Sequence, residues 1–215
     1  MRPAVGIDFG TSGCRAYVLK DGEMLPVVDQ QGAFSTPSVV TFTPDGDVLV
    51  GAAALELASV YPERAVAGAQ RLLGRKQYAP EVAWLATVSP YGIKPAGNGD
   101  AWIRIGERLV SPQEIAAYLL RHLKREIERC CETTVESAVV AVPANLDLPQ
   151  RRAIMEASRI AGLRIERLLD APTAAVLACQ RELGEARRVA VLDLGGGYFD
   201  VSVLERRDAV WEVLA

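Results

Sequence analysis

The chain says nearly the same thing twice. Val5-Gly6-Ile7-Asp8-Phe9-Gly10-Thr11, near the start, is echoed by Val191-Leu192-Asp193-Leu194-Gly195-Gly196-Gly197 near the end. Each is a short apolar strand that delivers one aspartate, then a glycine turn, then a second apolar strand, Cys14 to Leu19 in one copy and Phe199 to Leu204 in the other. The spacing from the aspartate to the last leucine is the same, Asp8 to Leu19 and Asp193 to Leu204. An internal echo of a supersecondary unit constrains architecture before any local detail does. It predicts two facing hairpins, each with a carboxylate and a turn of bare backbone.

Such a pair suits clamping a metal-bound polyphosphate. Glycine lets backbone N–H groups come close to phosphate oxygens. Magnesium prefers oxygen ligands, often through water, so Asp8 and Asp193 at the strand ends are suitable anchors. Thr11 and Ser12 add hydroxyl donors. Either segment alone would read as an ordinary hairpin with a helix-capping aspartate, because Asp-x-Gly is common. The two together, in register, favour the phosphate clamp.

At 215 residues the chain can bury a substantial core, as one large domain or two lobes. A net charge of −3 argues against broad binding to nucleic acid or anionic membrane. The basic runs Arg71 to Lys76 and Arg121 to Arg129 alternate with acids or apolar residues and read as solvated helix faces. Cys14, Cys130, Cys131 and Cys179 lack metal-ligand spacing, and the one histidine, His122, falls in a charge-rich helical stretch that predicts exposure. With neither a signal peptide nor a membrane-spanning run in view, the expected compartment is a reducing cytoplasm.

Along the chain, Val5 to Phe9, Cys14 to Leu19 and Leu25 to Val28 read as strands, the last two joined by the hairpin turn Lys20-Asp21-Gly22-Glu23. Val39 to Phe42 and Val48 to Val50 predict another hairpin across Pro44-Asp45-Gly46. Ala52 to Val60 and Arg64 to Leu73 predict helices, and Gln77 to Gly99, rich in Pro and Gly, is the least regular stretch. Trp102 to Ile105 resumes as strand. Ser111-Pro112-Gln113-Glu114 is a strong helix start, with a Ser cap, an early Pro and a Glu returning to the cap. That helix should run to about Cys131. Thereafter strands and helices alternate: Ser137 to Val142, a helix capped by Asp147 and ending at Gly162, Arg164 to Leu169, a helix from Pro172 to near Gly184, then Val189 to Leu194. This is α/β layering around a largely buried sheet.

With these elements placed, the chain resembles the actin-like ATPase (ribonuclease H-like) fold and, within it, the seventy-kilodalton heat-shock chaperone family (DnaK-like). The resemblance spans essentially all of the chain. It rests on Gly6-Ile7-Asp8-Phe9-Gly10-Thr11, Thr36-Pro37-Ser38, Val50-Gly51-Ala52-Ala53, Arg71-Leu72-Leu73-Gly74-Arg75, Ala141-Val142-Pro143-Ala144, Gln150-Arg151, Ile160-Ala161-Gly162-Leu163, Ala171-Pro172-Thr173-Ala174-Ala175 and Asp193-Leu194-Gly195-Gly196-Gly197-Tyr198-Phe199-Asp200. It implies ATP or ADP held between two lobes, with Gly10, Thr11, Ser12 and Gly13 on one side of the phosphates and Gly195, Gly196, Gly197 and Tyr198 on the other. Asp8 and Asp193 would orient magnesium through water. Pro143 and Arg151 match a pair that relays nucleotide state toward an interdomain linker, and Arg167 matches a contact for J-domain co-chaperones. A nucleotide exchange factor is a further implied partner; nucleic acid and membrane are not. Without the resemblance, Pro143 would be a strand terminator and the two arginines surface ion pairs.

Three departures fall on the chemistry. The family pattern has a lysine before Arg71, where this chain has Gln70; a glutamate before Pro172, where it has Ala171; and a threonine after the triple glycine, where it has Tyr198. Losing a fixed charge aimed at the transferring phosphoryl group typically costs on the order of a hundred- to a thousandfold in rate. The resemblance also implies that residues 1–184 are lobe I, with core 1–37 and 112–184 and an inserted subdomain 38–111, and that 185–215 are only the opening strands of lobe II. The adenine and ribose pocket would then be largely absent, nucleotide binding weak or absent, and unfolded clients reached only through a domain outside this sequence. Stopping in a strand would leave an open apolar edge (Val201, Val203, Val210, Val213), the mark of an excised piece or of a fragment that dimerises there. Two readings follow: the ATP-binding part of a chaperone coupling nucleotide state to client binding, or a pseudo-ATPase retained as nucleotide sensor or interaction module. A sugar kinase of the same superfamily is poorly supported, because the motifs between the hairpins match the chaperones.

Overall fold

Val5, Ile7 and Phe9 alternate with Ala4, Gly6 and Asp8, and this period of two is realised as strand β1 (Ala4–Phe9), the odd side chains buried and the even ones exposed. The computed structural model describes residues 3–208 and 210–214. After β1 the chain returns antiparallel as β2 (Gly13–Lys20), then β3 (Glu23–Pro26), and a two-residue strand β4 (Thr36–Pro37) also pairs with β2. Strands β5 (Val39–Phe42) and β6 (Val48–Val50), helix α1 (Ala52–Ala58) and strand β7 (Ala65–Ala67) follow, with the sheet ordered β6-β5-β7. A one-turn 3-10 helix, Ala69–Leu72, leads to α2 (Pro80–Val88) and a second small sheet of β8 (Gly92–Pro95), β9 (Ala101–Ile105) and β10 (Arg108–Val110).

Helix α3 (Pro112–Cys131) opens on a capping box, Ser111 and Glu114 each satisfying the other's backbone N–H. Its Ile115, Leu119, Leu123 and Ile127 recur every four residues and are all buried, each contributing roughly 1.5–3 kcal/mol by leaving water. Strand β11 (Ser137–Val142) then pairs parallel with β1, α4 (Leu148–Ile160) starts from a second capping box at Asp147 and Gln150, and β12 (Arg164–Asp170) completes a six-stranded mixed sheet along β12-β11-β1-β2-β3. Helices α3 and α4 pack together and bury Val5, Ile7, Val18, Val140 and Val142 on one face of this sheet. The other face presents Gly6, Tyr17, Leu19 and Met24 toward solvent. Last come α5 (Ala171–Ala178), α6 (Gln180–Leu183), and a meander of β13 (Arg188–Leu194), β14 (Phe199–Arg207) and β15 (Val210–Val213), cored by Val176, Leu204 and Trp211.

The mixed α/β layering agrees with the sequence reading; several local readings do not. Arg64 to Leu73 is not a helix, because Gly68 sits at φ 62° and Ala65–Ala67 pairs with β5. Gln77 to Gly99 is more regular than its Pro and Gly content implies: Pro80 occupies the first turn of α2, and β8 closes the stretch. His122 is half-buried, not exposed, with its imidazole on the Gly51 turn, and burial pushes its pKa down. The apolar exposure expected along a sheet edge is mainly a face. Val201 and Val203 lie on the central strand β14, and directly opposed pairs put Leu192 beside Val201 and Leu194 beside Phe199, all four of these exposed.

Candidate phosphate-binding cleft

The two echoed hairpins carry the same register. Asp8 lies directly opposite Arg15 and Ala4 opposite Leu19; Asp193 lies opposite Asp200 and Val189 opposite Leu204. The spacing identity in the sequence is therefore a pairing identity in space. Both turns demand glycine for close approach. A Cβ on Gly10 would sit 2.6 Å from the Gly13 carbonyl oxygen, inside its own turn. A Cβ on Gly196 would fall on Ser12, and one on Gly197 would be 2.7 Å from both Thr11 Oγ1 and Arg71 Nη2. The first turn is thus packed directly against the second.

Beneath the meeting turns lies a cavity of about 420 Å³, into which the expected site residues converge. Asp8, Gly10, Thr11, Ser12 and Gly13 line one wall and Asp193, Gly195, Gly196 and Tyr198 the other, while Gly197 closes on Thr11 at the rim. Gln70, Ala171 and Pro143 line it as well. Arg151 stands behind it: its guanidinium donates to the Leu146 carbonyl at 3.1 Å, the Ala144 carbonyl at 3.3 Å and Asp170 at 2.6 Å, tying down the loop after Pro143. Arg167 does not reach the cavity. It is exposed on β12, in register with Val139.

Local chemistry explains the role of each group. Gln70 Nε2 donates to the Gly10 carbonyl at 2.8 Å and to Ser38 Oγ at 3.3 Å, and Ser38 Oγ donates to the same carbonyl at 2.7 Å. The amide is consumed in fixing the first turn, and among the described residues its buried Oε1 has no hydrogen-bond partner. A carboxamide so engaged carries no net charge toward the cavity. Ala171 opens α5 with a methyl group only. The Asp8 side chain is about half exposed, yet partial enclosure by the cleft pushes its carboxyl up from the ordinary value; Arg15 draws it back, and the Asp193 charge across the cleft adds to the rise. Cys14 is fully buried beside Gly10, and burial pushes its thiol up to about 12, so it is no nucleophile at neutral pH. Burial likewise raises the Tyr198 phenol, with Arg71 and Arg75 opposing.

Sequence reasoning missed four participants: Arg15, Ser38, Arg71 and Asp200. Two had a signal. Once Asp8 and Asp193 are placed beside short glycine turns, hairpin register puts Arg15 and Asp200 opposite them. Ser38 and Arg71 reach the turns from other elements, and nothing local announces it. Among the described residues no three His, Cys, Asp or Glu side chains gather as a direct metal site, and no helix is long and apolar enough to cross a membrane. A family model described as Hsp70 protein matches residues 4–215.

Proposed function

Because the chain belongs to the Hsp70 family, and so to ATP-binding chaperone-type domains, we propose that the cleft between its two glycine turns holds nucleotide phosphates without hydrolysing them at an appreciable rate. The observation that carries this is the meeting of two glycine turns, from hairpins of the same register, over one cavity, with Gly10, Gly196 and Gly197 each where a Cβ would overlap atoms of the turns or of Arg71. Backbone N–H groups of both turns and the hydroxyls of Thr11 and Ser12 are then the donors to phosphate oxygens.

Catalysis needs more than a cradle. Transition-state charge is best met by fixed, preorganised donors, and losing one costs on the order of a hundred- to a thousandfold. Gln70 offers no charge and spends its amide on Gly10; Ala171 offers no carboxylate to order a metal or water. Family members use magnesium with their nucleotide, and Asp8 and Asp193 are the carboxylates to anchor it through water. Asp193 lines the cavity, but the Asp8 carboxylate already holds the Arg15 guanidinium at 3.4 Å.

In the same reading, residues 1–184 form lobe I around an insert at 38–111, and 185–215 open lobe II. The Arg151-bound loop after Pro143 passes nucleotide state onward in a full-length cytoplasmic chaperone, Arg167 meets a J-domain partner, and exchange factors and unfolded clients act through the rest of the assembly. Calorimetric titration of ATP into this chain, paired with a phosphate-release assay, tests the proposal. Weak binding without turnover is expected, and Gln70→Lys is expected not to restore turnover, since Ala171 remains. Absence of ATP binding overturns the phosphate reading. Turnover comparable to that of an intact family member overturns the non-hydrolysing part.

A further inference from the structure

The two hairpins share a register but not a charge pattern. Across the first, an acid faces a base (Asp8 and Arg15); across the second, an acid faces an acid (Asp193 and Asp200). All four line the cavity. Arg15 Nη1 is 3.4 Å from Asp8 Oδ2, both side chains about half exposed, and the guanidinium lies over the exposed Phe34 ring, 5.6 Å from the centroid. The charge is therefore held at the anchoring carboxylate by a salt bridge and a cation–π contact. It cannot be shed by deprotonation.

We propose that Arg15 takes the place of the divalent cation at Asp8, so that the cleft binds polyphosphate through a guanidinium and is indifferent to magnesium. This rests on the phosphate-binding reading above. A hydrated dication beside Asp8 would meet a guanidinium already paired with its Oδ2, and like charges at that range repel. A guanidinium matches phosphate with paired N–H donors and needs no metal to do so. Asp193 and Asp200 stay across the cleft; Asn145 donates to Asp200 at 3.4 Å, and among the described residues neither acid forms a salt bridge. Their negative charge opposes a polyphosphate, so the Arg15 charge on the facing wall matters the more.

The test titrates ATP and inorganic tripolyphosphate into the intact chain by calorimetry, once with magnesium and once with EDTA. It is repeated on Arg15→Val and Arg15→Lys, with circular dichroism melts to establish folding. The proposal expects wild-type affinities in the two buffers to agree within about threefold. Arg15→Val should lose about tenfold or more in EDTA, as befits a charge-assisted contact, and recover part of it with magnesium. Arg15→Lys, keeping charge without the fork, should fall between. Strict magnesium dependence in the wild type, unchanged in Arg15→Val, overturns the Arg15 assignment while leaving the phosphate reading standing. No binding of either ligand in either buffer overturns both.

Discussion

Gly196→Ala probes the contact on which the cleft depends. Gly196 lies outside the positive-φ glycines, so alanine meets no backbone strain there. Its added methyl would fall on Ser12 Oγ and lie 2.8 Å from Ser12 Cβ. The hydroxyl can rotate away, but the Cβ cannot, and carbon pairs settle at about 3.5–4.0 Å. The turns must therefore part by roughly 0.7 Å or more, at an overpacking cost of about 1–3 kcal/mol. Reduced backbone entropy in the unfolded chain returns about 0.4–1 kcal/mol of that. The net expectation is a loss of up to about 2.6 kcal/mol, or up to roughly 10 °C in Tm for a chain of this size. Both offending atoms belong to Ser12, so Ser12→Gly should remove the penalty. Urea denaturation of wild type, the two single variants and the double variant gives a coupling energy, expected near 1 kcal/mol. If Gly196→Ala costs the same whether or not Ser12 has been cut back, the turns do not touch and the reasoning fails.

Gly74→Ala should be the more damaging glycine change. Gly74 sits at φ 67°, and its Cβ would meet Gln150 N and Pro149 C, both at 2.6 Å, in the first turn of α4, where backbone cannot swing aside. A loss of about 2–4 kcal/mol is expected from strain and overlap together, read as a lower urea midpoint, and a loss under about 0.5 kcal/mol would contradict it. Cys14 predicts an alkaline limb. With its folded pKa raised to about 12, the native state keeps a proton that the unfolded chain releases from about pH 9 upward. Stability should fall by up to about 1.4 kcal/mol per pH unit across that window, and Cys14→Ala should flatten the slope; identical slopes would refute the assignment.

What could be read from the sequence was whatever is written locally. The two capping boxes, at Ser111 and at Asp147, were legible or nearly so because cap and partner lie three residues apart. The hairpin echo was legible because a period of two survives any surroundings. The Hsp70 assignment followed from motifs in order, which is a form of local information repeated many times. Strand β7 was not legible: Ala65–Ala67 is apolar enough for a helix, and only its pairing with Val39–Thr41 decides otherwise. In the site, the carboxylates and glycines announced themselves, whereas the engagement of Gln70 with Gly10 joins residues 60 apart in the chain and depends on Ser38 arriving from a third segment. Substitution of an expected lysine could be seen in the sequence; what the glutamine does instead could not.

The parallel pairing of β1 with β11 has a consequence for how the chain is made. β2 follows β1 almost at once, so the first hairpin can form as soon as both emerge, but Gly6 and Ile7 find Val139 and Val140 only much later. At roughly 5–20 residues per second of synthesis, that partner arrives about 7–26 seconds after β1. During that wait Val5, Ile7 and Phe9, which end almost fully buried, have neither α4 nor their central-sheet neighbour. Helix α3, whose apolar face shares their core, emerges before β11. Until β11 emerges, β1 in this member of a chaperone family is an apolar strand with one unpaired edge, which is the kind of segment that ties up nascent chains in the wrong company.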